Sequence, residues 1–162
     1  MILDANILIY AVDAGCAQHR PAKDFVEEHL NGETRVGLPW QSLAAFLRIA
    51  THPRVMTNPL SGVEATEFVD DWLAAPAAWL PEMNATTWSI LRRVVHTYGV
   101  TANLVPDAQL AALAIQYGVP VVSADSDVPR IIMVMMLTRR VAAANSGTNT
   151  TMMSGFRAWN HS

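Results

Sequence analysis

One cysteine, Cys16, stands among 162 residues. It cannot close a disulfide within the chain, so stability has to come from a packed core and a reducing compartment suits the sequence. Charge is sparse too. Only 15% of residues are charged and the net charge is −3, which leaves no overall cationic field of the kind that collects nucleic acid non-specifically. Any contact with phosphate must be local or carried by cations. No apolar run approaches the roughly 18 residues of a membrane span, and no basic segment leads into an apolar stretch with a cleavage site; the expectation is a cytoplasmic protein with no membrane partner. The loops G-x-x-x-x-G-K-[ST] and G-x-G-x-x-G are both missing, and His19, His29, His52, His96 and His161 lack a spacing such as H-x-x-x-H. Nucleotide cofactors and histidine-held metals therefore find no support.

What is present is a globular composition, 51% hydrophobic with mean hydropathy +0.20, in a length that fits one domain and can bury about two-thirds of its unfolded surface. "MILDANILIYAVD" reads as a short strand ending at Asp4 and turning into a helix. "HRPAKDFVEEHLNG" spaces Ala22, Phe25, Val26 and Leu30 as a helix, and "TRVGL" is a second strand. In "WQSLAAFLRIAT" the apolar face is read as Trp40, Leu43, Leu47 and Ala50. Ser61 and Glu64 have capping-box spacing before the next helix. "AAWL" is a short third strand, and Asn84 and Gly99 bound a helix. A further helix begins at Asp107, carries Leu110, Leu113, Ala114 and Tyr117 on one stripe and stops at Gly118. "VPVVSA", residues 119 to 124, is the clearest strand. Strands alternating with longer helices predict a parallel α/β sheet.

In such a sheet ligands bind beyond the carboxyl ends of the strands. Asp4 ends the first strand, Asp125 and Asp127 follow the last, and Asp107 opens the helix leading into it, so the fold can gather all four at one edge. Two carboxylates about 5 Å apart repel by roughly 3 kcal/mol at an effective dielectric near 20; protons or cations must share such a site. Oxygen-only ligands select a hard ion, Mg²⁺ or Mn²⁺, and such ions activate water against a phosphodiester. Each acid also has a plainer reading. Asp107 and Asp4 can cap helices, and Asp125 and Asp127 can be turn residues. Only their joint placement favours chemistry.

Three separated segments, "MILDANILIYAVD", "LPWQSLAAFLRIATHPRV" and "LVPDAQLAALAIQYGVPVVSADSD", together resemble the PIN-domain ribonucleases of the VapC toxin type, in the same order over residues 1 to 127. The resemblance implies a PIN-like three-layer α/β/α sandwich with a central, mostly parallel sheet. It implies Mg²⁺- or Mn²⁺-dependent cleavage of RNA to 5′-phosphate and 3′-hydroxyl ends, a VapB-type antitoxin partner and a homodimer. Asp4 matches the family's first metal-binding acid, Asp107 the acid opening the late helix, Asp125 the acid after the last strand and Asp127 the second acid of that turn. All four are expected as metal ligands, with Asp4, Asp107 and Asp125 catalytic. Asn6 matches a polar position that orients a ligand or water, beside its plainer reading as a turn residue.

The chain departs from the pattern in two places. Ala45 stands where most of the family has a helix glutamate, a change shared by similar toxins with the pattern "PW..L.AFLRI"; Asp13 and Glu64 are candidate replacements, or simply surface acids. Val128 replaces a preferred phenylalanine, and residues 128 to 162, with a late "FRAWN" at 156 to 160, are expected as an atypical, irregular tail of the same domain. Arg48, His52 and Arg54 group at a helix end, where a substrate strand or the helix dipole accounts for them equally. Arg92 and Arg93 read as a solvated face, Trp40, Trp72, Trp79 and Trp88 as core or dimer contacts rather than base-stacking platforms, and Ser123 as a structural strand-end serine or a partner of a metal ligand or substrate phosphate. The leading expectation is an endoribonuclease toxin. The alternatives are a PIN-like module that binds RNA or antitoxin with little or no cleavage and an unrelated acid-lined phosphatase.

Overall fold

A computed structural model describes residues 1–123. Asp125, Asp127, Val128 and the expected tail lie outside the described residues. Four strands, β1 (Ile2–Leu3), β2 (Val36–Gly37), β3 (Ala78–Trp79) and β4 (Val121–Val122), form one sheet in the order β3-β2-β1-β4. Every pairing is parallel, with Ile2 opposite Gly37 on one side and Ile2 and Leu3 opposite Val121 and Val122 on the other. The helices between them are α1 (Ala5–Val12), α2 (His19–Leu30), α3 (Trp40–Ala50), α4 (Gly62–Ala74), α5 (Ala85–Tyr98) and α6 (Val105–Tyr117).

The helix limits are chemically local. Ser61 Oγ accepts from the Glu64 N–H at 3.2 Å while the Glu64 carboxylate accepts from the Ser61 N–H at 2.8 Å, which satisfies two backbone donors that a helix start leaves open. Asn84 and Thr87 make the same reciprocal box at α5. Gly99 and Gly118 close α5 and α6 with φ of 61° and 65°, the left-handed conformation that a Cβ disfavours. One boundary moves. α6 begins at Val105 rather than Asp107, because Pro106 has no N–H to lose in the first turn, and Asp107 becomes its third residue.

The alternation of β1 separates two layers. Leu3 points into a core shared by α1 to α4, including Leu8, Val26, Leu43, Phe46 and Trp72. Ile2 points the opposite way, against Leu110, Leu113 and Ala114 of α6 and Val121 of β4. α5 then packs on α6 through Ile90, Leu91 and Val94 against Ala108 and Ala112. This is the expected α/β/α sandwich, with both faces of the parallel sheet covered. At Gly37 a Cβ would meet Ile2 Cγ1 at 3.0 Å and the Trp79 ring at 3.2 Å, so the missing side chain lets β2 sit between those neighbours.

The tryptophans divide. Trp72 is buried against Phe46 at 4.8 Å between ring centroids, edge to face. Trp79 packs on Tyr117 and lies under the Arg35 guanidinium. Trp40 and Trp88, expected as core or dimer contacts, are 62% and 63% exposed, so neither belongs to the core. Trp40 is the first residue of α3, where the helix has only begun to turn towards the sheet. The buried stripe of α3 is instead Leu43, Phe46 and Ala50, with Ser42 beside it.

Candidate active site

The order β3-β2-β1-β4 reverses direction at β1. From β1 the chain moves outward to β2 and β3, covering one face with α1 to α4, and then returns through α5 and α6 to place β4 on the other side of β1. Crossovers of one hand place successive helices on opposite faces when the direction of winding reverses, and the helices diverge beyond the carboxyl ends of β1 and β4. That opening is where ligands bind in sheets of this kind.

Asp4 and Ser123 stand at its mouth, one residue past the paired positions of β1 and β4. The Asp4 N–H donates to the Val122 carbonyl at 2.9 Å, which ties the residue to the neighbouring strand. Its carboxylate then divides its work. Oδ1 accepts from the Ala5 N–H at 2.6 Å, capping α1, and Oδ2 accepts from the Ser123 hydroxyl at 2.7 Å. Ser123 Oγ in turn accepts from Asn6 Nδ2 at 2.9 Å. Asn6 is therefore the second residue of α1 rather than a turn residue, and it reaches Asp4 through the serine. The plainer and the functional readings of Asp4 coexist: a single carboxylate caps a helix and faces the opening.

The neighbouring backbone is fixed from below. Ser42, 2% exposed, donates its hydroxyl to the Leu3 carbonyl at 2.9 Å, so the peptide immediately before Asp4 is satisfied by α3 from within the core. No Lys or Arg among the described residues pairs with Asp4. A half-buried carboxylate oriented by two donors retains lone pairs for a cation.

Asp107 comes to the same edge by topology. α6 descends against Ile2 and Val121 and returns to β4 through Gly118, so its first turn lies towards the carboxyl ends of the strands, and Asp107 is exposed there. Of the four expected acids these are the two described. Among the described residues no group of three or more His, Cys, Asp or Glu is gathered as a metal site. The hard oxygen donors present suit Mg²⁺ or Mn²⁺ rather than a soft ion.

Each candidate replacement for the missing glutamate is engaged locally. Asp13 lies at the far end of α1, where its Oδ1 accepts from the Gly15 N–H at 3.1 Å. Glu64 is engaged at the start of α4; its hydrogen bonds from the Ser61 backbone and then from the Ser61 side chain hold it below the ordinary carboxylate range. Because that pKa is lowered on folding, the capping contribution is present above the ordinary carboxylate value and is lost as pH falls through the lowered one. Ala45 sits half-buried on α3 with no acid in its place. Arg48 and Arg54 are exposed at the end of α3 and in the loop after it, and the Arg54 N–H donates to His52 Nδ1 at 3.1 Å. This cluster has a local structure of its own.

The part of the site that sequence reasoning left undecided is the Asp4–Ser123–Asn6 chain. Replacing Ser123 with alanine is expected to lower any activity that depends on the Asp4 carboxylate by roughly ten- to a hundredfold, the usual effect of removing a group that orients a ligand. Circular dichroism should remain unchanged. Unaltered kinetics would reduce the serine to a strand-end ornament.

The family model for the PIN domain matches residues 1–132. The chain is 43% identical over 129 residues to Ribonuclease VapC37 of Mycobacterium tuberculosis, covering 80% of this chain and 90% of that relative. It is 38% identical over 130 residues to Ribonuclease VapC33 of the same organism, covering 80% and 91%. Among solved structures it is similar to Mycobacterium tuberculosis VapC20, described as a sarcin-ricin loop cleaving toxin, with a TM-score of 0.58, 15% identity and coverage of 78% and 90%. It is also similar to VapBC2 from Rickettsia felis bound to a DNA fragment of its promoter, with a TM-score of 0.51, 15% identity and coverage of 76% and 86%. At such identities the structural likeness speaks for the fold. The sequence likeness carries the family.

Proposed function

Since the chain belongs to the PIN-domain family, matched over residues 1–132, we propose that it is a VapC-type toxin, an endoribonuclease that hydrolyses RNA phosphodiester bonds and is held in check by a VapB-type antitoxin. The observation that carries the reading is the position of Asp4 at the switch point of the sheet, with its carboxylate aimed by Ala5 and Ser123 and paired with no Lys or Arg among the described residues. Relatives named as ribonucleases and matching about nine-tenths of their length support the same activity.

In this reading Asp4, Asp107, Asp125 and Asp127 hold a divalent cation, Mg²⁺ or Mn²⁺, with Asp4, Asp107 and Asp125 closest to the chemistry. When bound, the ion supplies Lewis acidity that activates water and offsets charge on the phosphodiester. The protein's own part is positional. The Ala5 N–H and the Ser123 hydroxyl keep both Asp4 oxygens in one orientation, Asn6 keeps the serine turned towards them, and the first turn of α6 brings the Asp107 charge to the same edge. A homodimer acting in the cytoplasm completes the proposal.

The test is cleavage of a structured RNA by the purified full-length protein, in Mg²⁺, in Mn²⁺ and in EDTA, beside Asp107→Asn. Cleavage is expected with either ion, to stop in EDTA, to return when Mg²⁺ is added in excess, and to fall at least tenfold in the variant. Cleavage that persists in EDTA would remove the metal-dependent mechanism. Binding of RNA without cleavage by the wild type would favour the non-cleaving module, the reading that Ala45 supports through its missing carboxylate.

A further inference from the structure

α5, "ATTWSILRRVVHTY", carries no acidic residue. Its inner face is buried on α6, and Ser89, Arg92, Arg93 and His96, at helical positions i, i+3, i+4 and i+7, line one open depression on the outer face. All four are exposed. Arg92 and His96 make no ion pair among the described residues, where the two ion pairs present lie within α2. Favourable interaction with the dipole at the end of α5 accounts for cations in its last turns. It does not account for their lying around one depression, since the dipole is indifferent to which side of the helix a charge occupies.

Direction places this face. Thr87, in the first turn of α5, hydrogen-bonds to Gln116 near the end of α6, so the two helices run antiparallel, and the Arg92-to-His96 turns lie alongside the first turns of α6, where Asp107 stands. A polyanion approaching the carboxylate edge is repelled by it, and the chain as a whole, at −3, offers no attraction. Affinity then has to come from a local basic surface. Trp88, 63% exposed and one turn before Arg92, adds a flat apolar face of the kind on which unpaired bases stack.

We propose that this face of α5 is a docking surface for the phosphate backbone of single-stranded RNA, seating the strand that flanks the scissile bond. The identity of its ligand rests on the ribonuclease reading. Recognition here is by charge, so it holds strands of any sequence in the same way.

The experiment uses the full chain carrying Asp4→Asn, so that RNA stays intact, with fluorescently labelled single-stranded RNAs of different sequence and anisotropy read from about 50 to 200 mM salt. Adding Arg92→Gln and His96→Gln is expected to weaken binding at least tenfold on every RNA and to lower the slope of log affinity against log salt by about one. Arg92→Lys, which keeps the charge, should restore most of the slope. In the background with Asp4 intact, the Gln pair should raise KM with little change in kcat. Unchanged affinity and slope would overturn the proposal, as would a Gln pair that disrupts self-association in sedimentation while RNA affinity holds, which would assign the face to a second copy. Absence of cleavage by the wild type, together with the predicted loss of binding in the Gln pair, would sink the catalytic reading and leave the docking surface standing.

Discussion

Asp4→Asn is expected to lower RNA cleavage by on the order of a hundred- to a thousandfold while leaving the fold in place. The two effects separate because the residue has two roles. As the cap of α1 it uses one oxygen to accept from the Ala5 N–H, and asparagine caps about as well as aspartate. Its Asn6–Ser123 neighbours tolerate an amide, since Ser123 Oγ has a lone pair to accept from it and a hydroxyl that rotates. What asparagine cannot supply is the charge. A cation drawn to this edge loses one of the two described carboxylates, and the remaining one, Asp107, is borne by a different helix. The thermal midpoint should stay within about 4 °C of the parent, the shift that 1 kcal/mol produces in a chain of this size. Full activity in the variant would show that the chemistry lies elsewhere.

Phe46→Ala is expected to cost about 3–5 kcal/mol of stability, a large share of the roughly 5–15 kcal/mol that holds a native domain. Phe46 is completely buried, packs edge to face on Trp72 and lies in the core that fixes α3 to the sheet. Removing the ring leaves a void beside Trp72 as well as losing burial. The consequence reaches the site, because Ser42, one turn earlier on the same helix, holds the Leu3 carbonyl immediately before Asp4. Urea titration followed by tryptophan fluorescence should show the midpoint falling sharply, whereas Phe46→Leu, which keeps most of the volume, should lose no more than about 1.5 kcal/mol. A loss below 1 kcal/mol for the alanine variant would mean that α3 is held by other contacts.

The elements that sequence analysis placed well are those governed by neighbours a few residues away. The capping box at Ser61, the cap at Asn84, the glycine stops at 99 and 118, and the short β-branched strand at Val121 and Val122 depend on side chains and backbone groups close in sequence. On α3 the spacing places Leu43 and Ala50 in the core correctly, with Leu47 partly buried against it, but it includes Trp40 and omits Phe46. Trp40 has the composition of a core residue, yet its place at the start of the helix leaves it in water, and Phe46 takes the centre. Side-chain type alone does not tell which way a helix is rolled against a sheet.

The sequence by itself determined the alternation of strands and helices, the acid that ends the first strand and, through its resemblance, the family to which the chain belongs. The tertiary structure alone decided which distant groups meet. Ser123 and Asp4 are 119 residues apart, and only the return of β4 to the side of β1 makes them adjacent. The same return brings the first turn of α6 to the opening and packs α5 on α6, while Asp13 and Glu64, equally acidic in sequence, are engaged locally, by the Gly15 N–H and in the capping box of α4. The physical reason is the parallel sheet: it requires long crossovers, and the order in which those crossovers close fixes which strand ends share an edge.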